Sequence, residues 1–240
     1  MCTVIVNVPD HPDDPTRLLA VRDEDPTRPW NPLGAWWPER DGRIVGVRDA
    51  RAGGAWLAAR PDAGRLAVLL NRADISERTD EEVASRGVLP LDAVQGVTPR
   101  DDPRTRGFNL VDVEGERVRV TSWNGRVLRS HDLAPGVHML AHDDVDDEAT
   151  ARIAAWLNAF REASRTAPRE DWLGGWFDVL DVSSRLSPDD DRAIIRDNRP
   201  HGFPTQSLLL CAAEITASSV EVRYGELPEP AVWSRTALRE

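Results

Sequence analysis

Short apolar stretches bounded by turn residues recur along the chain and predict a protein rich in strands. Residues 25–43, rich in proline, tryptophan and glycine, are predicted to form a long ordered loop between them. The predicted strands cover residues 3–8, 17–21, 43–47, 55–59, 65–70, 108–113, 117–123, 126–130, 137–141, 207–213 and 220–224.

Three stretches show a helical pattern instead. Residues 75–96 predict two short helices divided at Pro90, and residues 172–182 predict another helix. Within 147–161, one apolar face is formed by Ile153, Trp156, Leu157 and Phe160, spaced as on a helix. Strands and helices in this order predict a layered α+β fold in which two sheets lie between helices, within one domain spanning 1–240.

Composition narrows the classes of function. Hydrophobic residues make up 40% and charged residues 30% of the chain, as in a soluble globular protein. No apolar run reaches the ~20 residues of a membrane helix, and the first residues lack a signal-peptide pattern, so we expect a cytoplasmic protein without membrane insertion. The net charge of −11 argues against a nucleic-acid partner. The chain contains no lysine, which excludes Schiff-base chemistry.

The two cysteines, Cys2 and Cys211, are too few for a disulfide framework and lack the spacing of a zinc site. Cys211 lies in an apolar run, where a cysteine acts as a small buried hydrophobe. If Met1 is removed, Cys2 carries a thiol and an α-amine on one residue. The amine can then accept the thiol proton as the sulfur attacks a carbonyl carbon, provided that other groups stabilise the oxyanion.

Several short motifs occur in order along the chain. They are Met1-Cys2, residues 19–24 (Leu-Ala-Val-Arg-Asp-Glu), Arg28-Pro29, residues 53–57 (Gly-Gly-Ala-Trp-Leu), residues 65–71 (Arg-Leu-Ala-Val-Leu-Leu-Asn), residues 85–87 (Ser-Arg-Gly) and residues 107–110 (Gly-Phe-Asn-Leu). Together they resemble the Asn-Arg-Asp-Glu family, also called the transport and Golgi organization protein 2 family. The resemblance extends over nearly the whole chain.

The resemblance implies a four-layer αββα sandwich of the N-terminal-nucleophile hydrolase type. It also implies catalytic roles for Cys2, Arg22, Asp23 and Asn71: Arg22 lowers the thiol pKa, Asp23 orients the α-amine, and Asn71 stabilises the oxyanion. The chain departs from the family pattern by having Val21 in place of an asparagine, Ala141-His142 in place of a Ser-Asn pair, and Gly202-Phe203-Pro204 in place of Gly-Thr-Arg. We expect each change to remove a polar group from the site.

Trp30, Trp36 and Trp37 cluster on the long loop, where they are candidates for lining an apolar ligand pocket. Asn109 and His142 are further candidates for substrate binding, although a buried structural amide is the simpler interpretation of Asn109. Residues 142–148 are acidic but lack the ligand spacing of a calcium loop, so no metal is expected.

Two hypotheses follow. The first is a cysteine hydrolase or acyltransferase that acts on an amide or thioester of a small apolar substrate and needs no cofactor. The second is a non-catalytic binding or trafficking protein on the same fold, which holds haem or an acyl group, with Cys2 as a thiolate ligand in the haem case. Substrate identity and oligomeric state are not specified by the sequence.

Overall fold

A computed structural model of the chain describes residues 2–238 and arranges the strands of this region in two antiparallel sheets. The five-stranded sheet has the order β10 (Gly136–Leu140), β1 (Thr3–Val8), β2 (Thr16–Glu24), β11 (Gln206–Ile215) and β12 (Val220–Glu226). The seven-stranded sheet has the order β3 (Trp30–Gly34), β4 (Val45–Asp49), β5 (Ala55–Arg60), β6 (Arg65–Asn71), β7 (Phe108–Glu114), β8 (Arg117–Trp123) and β9 (Leu128–Asp132).

The two sheets stack face to face over an apolar seam. Side chains alternate between the faces of a strand, so Val4 and Val6 of β1 point into the seam, whereas Ile5 points to the opposite face. The seven-stranded sheet contributes Leu66 and Val68 of β6 to the same seam. Each fully buried side chain of this size stabilises the fold by about 1.5–3 kcal/mol.

Two helices, α2 (Ala151–Thr166) and α3 (Trp172–Ser183), cover the outer face of the five-stranded sheet. Ile153, Leu157 and Phe160 of α2 are buried, as the helical spacing predicted. The ring of Phe160 meets Trp176 of α3 edge to face, with centroids 5.7 Å apart. No helix in the region 2–238 is long and apolar enough to cross a membrane.

The outer face of the seven-stranded sheet is covered by the short helix α1 (Leu89–Ala93) and adjoining loops. The predicted α+β sandwich of two antiparallel sheets between helices is therefore confirmed, with one thin outer layer. The prediction that Pro90 divides two helices was wrong, because Pro90 lies in the first turn of α1, where its missing N–H leaves no hydrogen bond unmade.

One strand was missed. Residues 30–34 form β3 at the edge of the seven-stranded sheet, within the stretch predicted to be loop. Pro32 led to the prediction of a loop, because proline is excluded from central strands but is tolerated in an edge strand.

Two loops meet where Gly54 and Gly87 touch. A Cβ on Gly54 would lie 2.5 Å from the Cα of Gly87. We therefore expect Gly54→Ala to lower the free energy of unfolding by about 1–3 kcal/mol, because the backbone of residue 87 must move away. Thermal denaturation of the variant measures this.

The matched control is Gly42→Ala, since a Cβ on Gly42 meets nothing within 4 Å. We expect its free energy of unfolding to stay within about 0.5 kcal/mol of the wild type. Equal melting temperatures for the two variants would contradict the close packing of Gly54 on Gly87.

Candidate active site

A cavity of about 400 Å³ opens at one end of the sandwich, between the ends of strands from the two sheets. Neighbouring antiparallel strands run in opposite directions, so the start of β1 and the end of β2 reach this end together. The wall contains Cys2, Arg22, Asp23, Glu24, Arg28, Asp49, Ala52, Gly54, Ala55, Trp56, Leu69, Asn71, Val83, Ala84, Ser85, Arg86, Gly87 and Arg106. Cys2, Arg22, Asp23 and Asn71, which the sequence selected as one site, all lie in this wall.

Cys2 directly precedes β1, and its side chain belongs to the seam between the sheets. Its Sγ lies 3.8 Å from the backbone oxygen of Asp23, to which the thiol donates a hydrogen bond. The residue is 8% exposed, so the sulfur stands at the end of the apolar seam and at the wall of the cavity.

Burial raises the pKa of the Cys2 thiol, and the negative charge of Asp23 adds to that effect. Arg22 acts in the expected direction and lowers the pKa, but its effect is smaller than that of burial. The thiol is therefore protonated at neutral pH, and an attack by sulfur needs a base nearby.

Arg22 is buried beside Cys2. One guanidinium nitrogen donates to Glu24 at 3.1 Å, and the group lies 6.0 Å from the centre of the Trp56 ring. The other terminal nitrogen, Nη1, is buried and has no hydrogen-bond partner within residues 2–238. An unpaired buried donor is rare in proteins, so this N–H group is a candidate to bind a ligand.

Asp23 is held on the other face of β2 by a chain of side chains. Ser207 Oγ donates to one carboxylate oxygen at 2.6 Å, and Asn198 Nδ2 donates to the other at 3.3 Å. Arg196 Nε donates in turn to Asn198 Oδ1 at 3.0 Å. A bulge at Leu208 shifts the register of β11 so that Ser207 stands opposite Asp23.

The opposite wall comes from the seven-stranded sheet and a loop. Asn71 ends β6 and shares the face of Leu69, one strand position from the seam-facing Leu70. The loop at residues 83–87 closes this side, and Arg86 Nη1 donates to the carbonyl oxygen of Gly107 at 2.8 Å. The loop therefore connects the wall to the start of β7.

Comparison with known proteins identifies the family of the chain. The family model described as Transport and Golgi organisation 2 matches residues 1–207 of the chain. The chain belongs to this family. A comparison with curated proteins finds no match.

The tryptophans expected in the pocket of this Transport and Golgi organisation 2 protein lie elsewhere. Trp30 donates to Tyr224 Oη at 3.0 Å, Trp36 to the oxygen of Pro32 at 2.7 Å, and Trp37 to the oxygen of Gly53 at 2.8 Å. None of the three is among the wall residues of the cavity, which include Trp56 instead. The indole hydrogen bonds of these tryptophans anchor their own segment of the chain to its surroundings.

Asn109 is fully buried and has a structural role. Its amide donates to the backbone oxygen of Asp143 at 2.8 Å and accepts from Ser122 Oγ at 2.7 Å. These bonds fix the segment after β10 against β7. Asn109 is not among the wall residues of the cavity.

His142 follows β10, whose pairing with β1 brings this segment near Cys2. Burial lowers the pKa of His142, and the opposing attraction of Asp143, 3.2 Å away, is weaker. Its Nδ1 is buried without a hydrogen-bond partner in the described region. His142 is not among the wall residues, and the charges of Arg152 and Arg196 also act on it.

Sequence reasoning missed several polar residues around the site, which are Arg86, Arg152, Arg196, Asn198 and Ser207. Arg86 stood within a family motif and was not assigned a role. Arg152, fully buried on α2, donates to Thr3 Oγ1 at 2.9 Å, and burial lowers its pKa to about 10. The spacing of apolar residues on α2 gave no signal for it.

The departures from the family pattern lie outside the cavity wall. Val21 is buried on the helix-facing side of β2, so its effect is on the apolar core beneath α2 and α3. Phe203 is exposed on the loop before β11. Within residues 2–238 there is no group of three or more His, Cys, Asp and Glu side chains that could hold a metal ion.

The pKa values of His138 and His142 are expected to shift in opposite directions from the ordinary value for histidine. Burial alone would lower the pKa of His138, but hydrogen bonds to Asp146 Oδ2 at 2.8 Å and to the Ala134 oxygen at 2.9 Å raise it. At pH 6.5 we expect His138 to be mostly protonated and His142 mostly neutral. NMR titration of the imidazole signals measures both.

His138→Gln and His142→Gln variants assign the two signals. If His142 titrated at the same pH as His138 or above it, the burial of its ring would be contradicted.

Proposed function

We propose that this member of the Transport and Golgi organisation 2 family is an N-terminal-cysteine hydrolase or acyltransferase that acts on an amide or thioester bond. The observation that supports this best is the position of Cys2. Its sulfur lies at the wall of a cavity shared with Arg22, Asp23 and Asn71. A nucleophile, a fixed positive charge, a carboxylate and an amide donor are the groups that acyl transfer needs.

The chemistry begins with a protonated thiol. Once Met1 is removed, the neutral α-amine of Cys2 accepts the thiol proton while Sγ bonds to the carbonyl carbon of the substrate. The carbonyl electron pair moves to oxygen and forms an oxyanion. When the tetrahedral intermediate collapses, the bond to the leaving nitrogen or sulfur breaks and the leaving group takes the proton from the ammonium. Water or an acceptor nucleophile then releases the acyl group.

The neighbours of Cys2 fit distinct roles. Arg22 remains charged throughout and stabilises the negative charge that develops near the sulfur. Asp23, held by Ser207 and Asn198, is fixed for orienting the α-amine. Asn71 supplies an amide donor for the oxyanion from the end of β6. Met1 itself lies outside the described residues.

The binding-protein alternative receives less support from the cavity. A macrocycle such as haem needs extended apolar faces, but the large apolar side chains of the wall, Trp56, Leu69 and Val83, stand among many charged groups. A thiolate ligand also requires a deprotonated sulfur, whereas burial raises the pKa of Cys2. The charged wall therefore favours a polar substrate over haem or an acyl chain.

The position of Cys2 can be tested by alkylation. We expect iodoacetamide to label Cys2 at least about tenfold faster than Cys211, because Cys211 is fully buried in the seam. The rate should rise with pH and still be rising at pH 9, since the pKa of the Cys2 thiol lies above its ordinary value of 9.0. Peptide mass spectrometry after timed quenching measures both sites.

Cys211→Ser is the control and should leave the labelling rate unchanged, whereas Cys2→Ser should abolish the fast phase. Equal rates for the two cysteines would contradict an accessible nucleophile at Cys2.

The role of the α-amine can be tested separately. We expect protein that lacks Met1 to form an acyl adduct on Cys2 when it is incubated with an acyl thioester. A chain with an uncleaved extension before Met1 should form the adduct at least about 100-fold more slowly, because the base is blocked. Intact-mass spectrometry measures the adduct and also shows whether Met1 has been removed.

Thermal denaturation of both proteins controls for folding. Retention of Met1 in natively expressed protein, or equal acylation of the two forms, would overturn the proposed base.

A further inference from the structure

The charged groups of the cavity wall are mostly neutralised by one another. Four arginines and three acidic residues stand among the described wall residues. Arg28 pairs with Asp49 at 2.5 Å, and Arg22 pairs with Glu24 at 3.1 Å. Arg106 pairs with an acid outside the wall, Asp80, at 2.6 Å.

Arg86 is the exception among the four arginines. Its Nη1 donates to the neutral carbonyl oxygen of Gly107, and no carboxylate of residues 2–238 lies within ion-pair distance of its guanidinium. Burial lowers the pKa of Arg86, while Asp74, Cys2 and Glu24 act on it in the opposite direction. An arginine stays charged even so, and its charge lacks a partner in the wall.

A second donor in the same wall is also unmatched. Arg22 Nη1 is buried without a hydrogen-bond partner, although Nη2 of the same group is paired with Glu24. The Arg22 side chain is only 4% exposed, so water gives it little compensation. The cavity of Cys2 therefore has an unpaired cation and an unpaired cationic donor in its wall.

The backbone around Arg86 is well fixed. Ser85 caps the turn by accepting from the N–H of Gly87 at 3.3 Å, and Gly87 packs directly on Gly54. The guanidinium consequently needs little reorganisation to bind a ligand. The chain as a whole carries a charge of −11, which repels anions, so a local cationic group is needed to attract one.

We propose that the substrate of this cavity carries an anionic group, a carboxylate or a phosphate, and that Arg86 binds it together with Nη1 of Arg22. The proposal rests on the proposed function, because it takes the Cys2 cavity as the substrate site. Guanidinium groups match the oxygen pairs of carboxylates and phosphates and bind them by charge-assisted hydrogen bonds. Arg86 thereby determines specificity by selecting acyl donors with a negative charge near the scissile bond.

Alkylation with two probes of different charge tests the proposal. Iodoacetate is an anion and iodoacetamide is its neutral analogue, so their relative rates at Cys2 report the local charge. We expect Arg86→Gln to slow labelling by iodoacetate about tenfold, the effect of one charge-assisted hydrogen bond, and to leave the iodoacetamide rate within about twofold. Arg86→Lys should retain most of the iodoacetate rate.

The matched control is Arg106→Gln, which removes an arginine from the same wall. Its charge is already neutralised by the exposed Asp80, so we expect the ratio of the two rates to change less than about twofold. An equal change of both rates in Arg86→Gln would show that Arg86 only supports the fold, and would overturn the proposal.

A binding measurement separates this proposal from the catalytic one. Calorimetry with inorganic phosphate and with succinate, on a Cys2→Ser variant, needs no nucleophile. We expect at least one of the two anions to bind, and Arg86→Gln in that background to weaken its binding about tenfold. The preferred anion identifies the class of the substrate group. Binding of neither anion, or equal binding with and without Arg86, would overturn the anion site even if Cys2 proved reactive.

Discussion

The apolar seam between the two sheets fixes the position of the Cys2 side chain. Alternation along β1 commits Cys2 to the same face as Val4 and Val6, and those side chains are fixed by packing against the facing sheet. A slip of one residue would turn Cys2 towards the helices and remove it from the cavity. The location of Cys2 is thus a consequence of hydrophobic packing along the whole strand, and no local motif is needed to hold it.

That location has an electrostatic consequence. The end of an apolar seam is a poor place for a thiolate, and burial outweighs the attraction of Arg22, so the thiol remains protonated. Under the proposed function, a base must therefore remove the thiol proton during the attack. The same burial explains why Asp23 is held by Ser207 and Asn198: a carboxylate in such surroundings needs donors, and these donors also fix its direction.

The two sheets and both long helices could be predicted because strand alternation and helical spacing are local signals. The grouping of Cys2 with Arg22 and Asp23 came instead from the family resemblance. Prediction from the sequence failed for features that depend on tertiary contacts. The strand β3 was hidden by Pro32, whose tolerance depends on lying at a sheet edge. The tryptophans before residue 40 were expected around the ligand, yet their indole N–H groups bind backbone or Tyr224. Asn198 and Ser207, whose side chains hydrogen-bond to Asp23, are far from it in sequence, so residue spacing cannot reveal these contacts.

The contacts between the family motifs explain why these separate segments of the chain occur together. Gly54, from the motif before β5, packs on Gly87, which belongs to the motif that carries Arg86. Arg86 in turn binds the carbonyl oxygen of Gly107, at the start of a third motif. Three segments that are separate in sequence are therefore in contact at this wall, and Gly54 and Gly87 are needed because a side chain at either would push their two segments apart. A wall assembled with so little tolerance, around a half-buried arginine whose charge it does not neutralise, is better explained by a ligand than by stability, because burying part of an unpaired cation destabilises a fold.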